Sequence, residues 1–448
     1  MKIRLSSNQG NILIIAVCTT AVIGVALAGY LSLTVNQTKA TMRSQSWNMC
    51  IPVAEGGIEE ALTHLYYNGT GDRAVNGWVA SNGKFVKQRG GNGDDYYYQV
   101  TISSDLNPVI ASRGSVRLPS HESYVARTVR INTINDGMFM RAMTAKGQIN
   151  LNGNNIRTDS FDSMDPNYST NGKYDLAKAN DNGDVASNAS VVNTVSVINA
   201  NIHGKVGTGP GGTVAVGPNG AVGSTAWQNA GNHGIQPGWF KDDMNVSFPD
   251  VQPPFTGLAF TPGGGSLNGT NYTYLLTGGN YQMSSLSMNS QKQMMVSGHT
   301  VLWVTGNVSI SGQAQIIVAP NASLNLYVGT TSGPEVSASL GGNGIVNNSN
   351  GNATSFFYHG LPRNTSLSSS GNAAFTGVIY APNAAFTLGG GGNDTYDFVG
   401  ASVTSTVTMN GHYNFHYDEA LGRVGPRRGY IITGWNEISA SEFAWNEL

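Results

Sequence analysis

Two groups of side chains have types and spacings from which chemistry could be built. The first is His412, Asn414, His416 and Asp418, which alternate along one segment with Tyr413, Phe415 and Tyr417 between them. On a strand, that alternation puts the polar four on one face and the aromatic three on the other. Histidines four residues apart then stand about 14 Å from one another, too far to share a metal ion. The segment reads as a solvated polar face backed by an aromatic core face.

The second group is acidic: Asp159, Asp162 and Asp165, followed by Asn180-Asp181-Asn182-Gly183-Asp184. The later run places oxygen ligands on alternate residues with a glycine for the turn, as a calcium loop does, but lacks a distal bidentate glutamate. A turn built from Asx residues uses the same pattern. No cofactor is expected, with calcium the one ion left open. Gly-x-Ser-x-Gly, phosphate-loop, His-Glu-x-x-His and Cys-x-x-Cys motifs are absent, and a non-enzymatic protein is expected. Carboxylates brought together from distant segments would be invisible at this level.

Composition narrows the elements that could position these groups. Of 448 residues, 58 are glycine and only 11% are charged, against about a quarter charged in ordinary soluble domains. Such a chain suits many short strands joined by tight turns, where Gly and Asn accept left-handed backbone. A formal charge of −2 gives no basic face for nucleic acid. Cys18 and Cys50 would lie about 48 Å apart on a continuous helix and cannot pair within one chain.

The N-terminal stretch organises the rest. A short basic leader, Met1–Gly10 with Lys2 and Arg4, precedes an apolar run from Asn11 to Val35 long enough to span a bilayer. The helical pattern then continues as a stripe of Trp47, Ile51, Ala54, Ile58, Ala61, Leu62 and Leu65. Pro52 is expected to kink the helix or start a fresh one. An uncleaved signal anchor and a secretory signal cut after Ala28 are alternatives for the apolar run. All three place the bulk of the chain outside the cytoplasm.

Gly10, the apolar run and Pro52-Val-Ala-Glu-Gly-Gly-Ile-Glu-Glu-Ala-Leu62 together resemble the N-terminal region of PilX-like minor pilins, a type IV pilin-like family. The resemblance implies cleavage between Gly10 and Asn11, and packing of the helix against other pilin-like subunits in a filament. Major pilins carry a glutamate five residues after the cut; here Ile15 stands there, as often in PilX-like members. The resemblance also implies a single-pass inner-membrane location, or a pilus or cell-surface one after assembly.

Residues 69–136 read as a small antiparallel domain. Tyr96–Ile102, Ser115–Leu118 and Tyr124–Ile134 form a meander covered by the helix stripe, the globular plan of pilins. From 137 to 421, short β-rich bursts recur between Gly, Asn and Pro. One phrase appears three times, with corners at Pro218-Asn219, Pro320-Asn321 and Pro382-Asn383. Short strands with a repeated corner predict a large parallel β-solenoid, so the fold class is α+β: a long helix on a small sheet, then the solenoid. An antiparallel sandwich is the alternative. Gly377–Asn383 and Gly411–Leu421 also resemble β-solenoid domains attached to PilX-like N-termini. The Pro-rich 226–290 region should cross the solenoid's outside. The tail 422–448, with Trp435 and Trp445, should cap it. The function implied is display of the solenoid for surface or glycan adhesion; a membrane-tethered polysaccharide lyase or hydrolase is the other reading.

Overall fold

The computed structural model describes residues 9–68, 73–105, 107–119, 123–153, 156–347, 352–371, 375–390, 396–410, 413–424 and 427–443. The chain forms two compact units, one from 1–136 with 427–448 and the other from 137–426.

The first unit begins with one helix, Gln9–Asn68, with Pro52 inside it. Its first part is long and apolar enough, by length and composition, to cross a membrane. Residues 12–45 are exposed apart from half-buried Met42, whereas Ser46, Cys50, Ala54, Gly57, Ile58, Ala61, His64 and Leu65 are buried along one stripe. No fresh start occurs at Pro52. That residue faces solvent, where water can satisfy the carbonyl left without a donor, while the residues around it are held against a sheet. Trp47 is 45% exposed and falls outside the stripe, and Cys50 takes the buried position.

The sheet runs β1 (Val79–Ser81), β2 (Lys84–Arg89), β3 (Tyr96–Ser103), β4 (Val109–Arg117) and β5 (Tyr124–Gly137) in order, each antiparallel to the next. The β1–β2 hairpin turns on Asn82 and Gly83, both at positive φ (48° and 73°), the backbone an Asn-Gly pair favours. The helix stripe and Trp78, Val100, Ile102, Ile110, Val129 and Ile131 share one core. Gly114 sets the spacing: a Cβ there would stand 2.5 Å from the Ala54 nitrogen and nearer still to the Cys50 carbonyl oxygen.

The C-terminal tail, expected as a cap on the solenoid, is instead part of the first unit. Arg427–Ile438 is the sixth strand of this first sheet, next to β5, with Glu437 bound by Arg127 and Thr433 donating to the Asn132 carbonyl. Trp435 is 47% exposed, so it is not the buried anchor a cap needs; Trp445 lies outside the described residues.

In the second unit, apart from the antiparallel hairpin 265–272, strands pair in parallel along three ladders. Partners lie from 13 to 46 positions apart, except where 402–418 meets 143–161, about 258 apart. One ladder, among the described residues, runs 279–283, 299–304, 323–328, 356–360, 378–380, 401–404, 143–145, 185–187, 206–207 and 240–241. A second starts at 286–288, reaches 406–409, and continues through 149–151 and 195–197 to 214–216. On the third, 396–400 pairs with 413–418, which pairs with 157–161. A single apolar core fills the space between, including the stack Phe375–Phe398–Phe415 at centroid spacings of 4.4 and 4.3 Å.

Spatial order differs from chain order. The chain enters at 143–161, in the middle of the ladders, and builds outward to 240–241. The strand-free segment 242–264 then returns to the far end, and 274–418 builds back until its last strands sit on the first. That segment touches the ladders as it goes: Tyr380 donates to the Pro249 carbonyl, Asn383 to Asp250, and Phe255 meets Trp303 edge-on.

Candidate functional site

Buried polar side chains gather at the seam where 413–418 meets 157–161. The aromatic ladder ends here: Phe415 lies opposite Thr158, and the next register pair is His416 with Asp159. The expected solvated face is overturned, since His416 and Asp418 are 1% and 2% exposed. Strand alternation assigns two faces correctly, but the polar face here is covered by another strand of the ladder and by Tyr174. Asn414 is half-buried and donates to Asp397; His412 lies outside the described residues.

His416 Nδ1 bonds Asp159 Oδ1 at 2.5 Å. Its Nε2 sits 3.2 Å from Asp397 Oδ1, a charge contact too oblique to be a hydrogen bond. Tyr174 stacks on the ring at 3.5 Å and donates its hydroxyl to Asp159 Oδ2, which also accepts from Arg157 Nε at 2.6 Å. Burial disfavours the charged imidazole, but the hydrogen bond to Asp159 and the negative charges of Asp159 and Asp397 outweigh it and raise the His416 pKa. Burial likewise works against Asp159, and His416 with Arg157 outweighs it, holding the carboxyl below its ordinary range. Nearby His203 is the opposite case: burial and Arg157 press its pKa down to about 4.

A second set lies on the same seam. Arg423 grips both oxygens of Asp162 at 2.6 and 2.7 Å. Asp418 accepts from the Ser163 nitrogen and hydroxyl and from the Ala420 nitrogen. Glu419 accepts from Ser160, Asn180 and Asn182. Burial raises Asp418. Two neighbouring carboxyls are what glycosidases use, yet Asp418 is spent on three donors and Asp162 on Arg423. Asp418 also lines a pocket of about 430 Å³ with Ser163, Met164 and Leu421.

The 180–184 run is used by the protein itself. Asp181 accepts from Thr225, Asp184 from the Lys205 nitrogen, and a Cβ at Gly183 would stand 2.6 Å from the Asp159 Cα. Among the described residues no group of three or more His, Cys, Asp or Glu is placed to hold a metal. Asp165 caps its own turn at Asn167.

The remaining positions singled out in the sequence are scattered. Gly10, Asn11 and Val35 all lie within the long helix. Pro218-Asn219 and Pro320-Asn321 form turns, Asn321 at φ 61°. Pro320 and Asn321 line a pocket of about 660 Å³ with His299, Ser323 and Thr354. Pro382-Asn383 is not a turn: it lies inside the strand Phe375–Gly390, at the irregularity where that strand's register shifts. Asn383 accepts from Lys146 and donates to Asp250.

Sequence spacing does not single out Arg157, Tyr174, His203, Asp397, Glu419 or Arg423. Tyr174, Glu419 and Arg423 meet partners more than 230 positions away, and Arg157, His203 and Asp397 take their roles only once the 413–418 and 157–161 strands are side by side. The clustering of acids between 159 and 184 is the one local signal.

In the first unit, half-buried Glu60 gathers the donors. It receives Lys87 at 2.8 Å, Arg89 at 2.7 Å and the Tyr98 hydroxyl at 2.5 Å. Burial opposes its ionisation, but the three donors prevail and hold it at about 2; Tyr98 is pushed up to about 12, by burial and by Glu60.

A family described as Domain of unknown function (DUF7305) matches residues 250–424. No curated protein matches the chain. Among solved structures, the crystal structure of the competence-associated pilin ComZ from Thermus thermophilus is paired over 88% of this chain and 97% of that one, at 12% identity and a TM-score of 0.28, too low to establish a common fold.

Proposed function

We propose that this chain is a PilX-like, pilin-like envelope protein. Its helix enters a membrane or a pilus, and its second unit is displayed outside the cytoplasm as a β-solenoid. The single observation that carries the reading is the division of one 60-residue helix: an exposed apolar first part, then a stripe docked on an antiparallel sheet. A helix that is apolar on all sides needs lipid or other apolar helices around it. In this reading the leader is cut after Gly10, Asn11 becomes the new N-terminus, and the bare helix packs among pilin-like subunits.

The three parallel ladders support the solenoid, in which each coil satisfies the backbone of the next. Adhesion to surfaces or glycans is the role proposed for it, with the pocket around His299, Asn321 and Ser323 as the polar surface offered. A lyase or hydrolase is not favoured, because the convergent carboxylates are consumed by ion pairs and backbone donors. Gold-labelled antibody against the second unit, on whole cells, tests the placement. Label at filament tips, sparsely along filaments or over the envelope supports it; label confined to the cytoplasm refutes it.

A further inference from the structure

The permuted order of the second unit divides it into two stacks, 143–241 and 274–418, that are joined twice. One join is covalent, the strand-free segment 242–264 followed by the hairpin 265–272. The other is the seam, where 402–404 lie beside 143–145, 407–409 beside 149–151 and 415–418 beside 158–161. We propose that the seam is an interaction surface for a second copy of this chain: the 274–418 stack of one copy docks on the 143–241 stack of another, by exchange of identical halves.

Three observations carry this. The seam contacts are specific, and none depends on the two halves being one polypeptide: His416–Asp159, Arg423–Asp162, Asp418–Ser163 and Glu419–Ser160 all join residues more than 250 positions apart. An exchanged pair re-forms every one of them, so the two arrangements differ mainly in what the connecting segment must do. That segment has the reach. Its 23 residues can extend about 75 Å, whereas ten strands at about 4.8 Å make a ladder only about 43 Å tall. It has no regular strand, and its Leu258 is fully exposed. Finally, the family match spans 250–424, which starts inside the connecting segment and ends just after the second stack. The second stack is thus a sequence unit separable from the 143–241 stack it sits on.

The exchange is read with two full-length copies carrying different tags, co-expressed in a Cys18→Ser background, one with Asn150→Cys and the other with Thr408→Cys. Residues 150 and 408 are register partners across the seam, at a neighbour spacing a disulfide can bridge. Exchange predicts a disulfide-linked heterodimer that thiol reverses and that disappears when either cysteine is omitted. A single chain with both substitutions is the positive control. A second pair, Lys146→Cys with Asn383→Cys joined by a short bismaleimide, gives the same reading without depending on disulfide geometry. Intramolecular cross-linking of the doubly substituted chains, with no heterodimer from either mixed pair, would overturn the proposal.

Discussion

Replacing Gly114 by alanine should undock the helix locally, and Cys50 reports it. The new Cβ would lie 2.5 Å from the Ala54 nitrogen, where ordinary contact begins at 3.4 Å, and the obstacle is helix backbone that no side-chain rotation can move aside. The helix must lift by roughly 1 Å over its tightest turn, an overpacking that costs about 1–3 kcal/mol. Cys50 is fully buried beneath that turn, with its thiol between the Ser46 and Val125 carbonyls. Its labelling by a maleimide therefore requires local opening. At tenfold per 1.4 kcal/mol, the substitution should speed labelling roughly 5- to 150-fold, measured in detergent on a Cys18→Ser background. Gly56→Ala is the contrast. A Cβ there meets only a Tyr98 ring carbon at 3.9 Å, and alanine steadies a helix by roughly 0.5–1 kcal/mol, so labelling should slow. Equal rates in Gly114→Ala and the parent would refute the docking argument.

Other perturbations follow from the same contacts. Glu60→Gln leaves Lys87 and Arg89 without their shared carboxylate, should cost about 2 kcal/mol, and should speed Cys50 labelling accordingly. The lowered pKa of Glu60 makes its contribution full above its ordinary 4.5 and lost as pH falls toward 2, which the urea midpoint of the first unit at pH 3 and 6, in the parent and in Glu60→Gln, would show. The raised pKa of His416 has the opposite sign. Its stabilisation is complete below about 6.5 and is lost as pH rises through the folded value, so melting of the second unit should fall on the alkaline side. Asp159→Asn should flatten that limb while lowering stability by about 3–5 kcal/mol near neutrality. Phe398→Ala, in the middle of the three-ring stack, should cost about 3–5 kcal/mol in denaturant titration of the second unit.

How far the sequence reveals this molecule depends on the distance over which each feature is decided. The long helix, its exposed apolar part and the strands at 96–102, 315–318 and 323–328 are set by residues within a few turns, and they are legible. The Asn82-Gly83 hairpin is equally local, an Asn-Gly pair at positive φ between two short strands. Pro52 misleads because its cost is paid on the solvent side of a helix that packing holds elsewhere. The tail misleads for a different reason: Gly434 and Trp435 look like a cap to the segment that precedes them, but their sheet partner is β5, some 300 residues earlier. The seam is the extreme case. His416 alternates as a surface residue would, and only its partner 257 positions away, Asp159, together with Tyr174, removes it from water. Pro382-Asn383 shares its sequence with two true turns, yet its backbone stays extended where the register shifts between Ala381 and Ala385.

The central claim, a pilin-like helix released from its leader, is tested most directly by the mass of the mature N-terminal peptide from chain isolated from its native membranes. The account predicts a peptide beginning at Asn11. A peptide beginning at Gly29 would mean that the apolar stretch is a discarded signal, and one retaining Met1 would mean an uncut anchor; either result contradicts it.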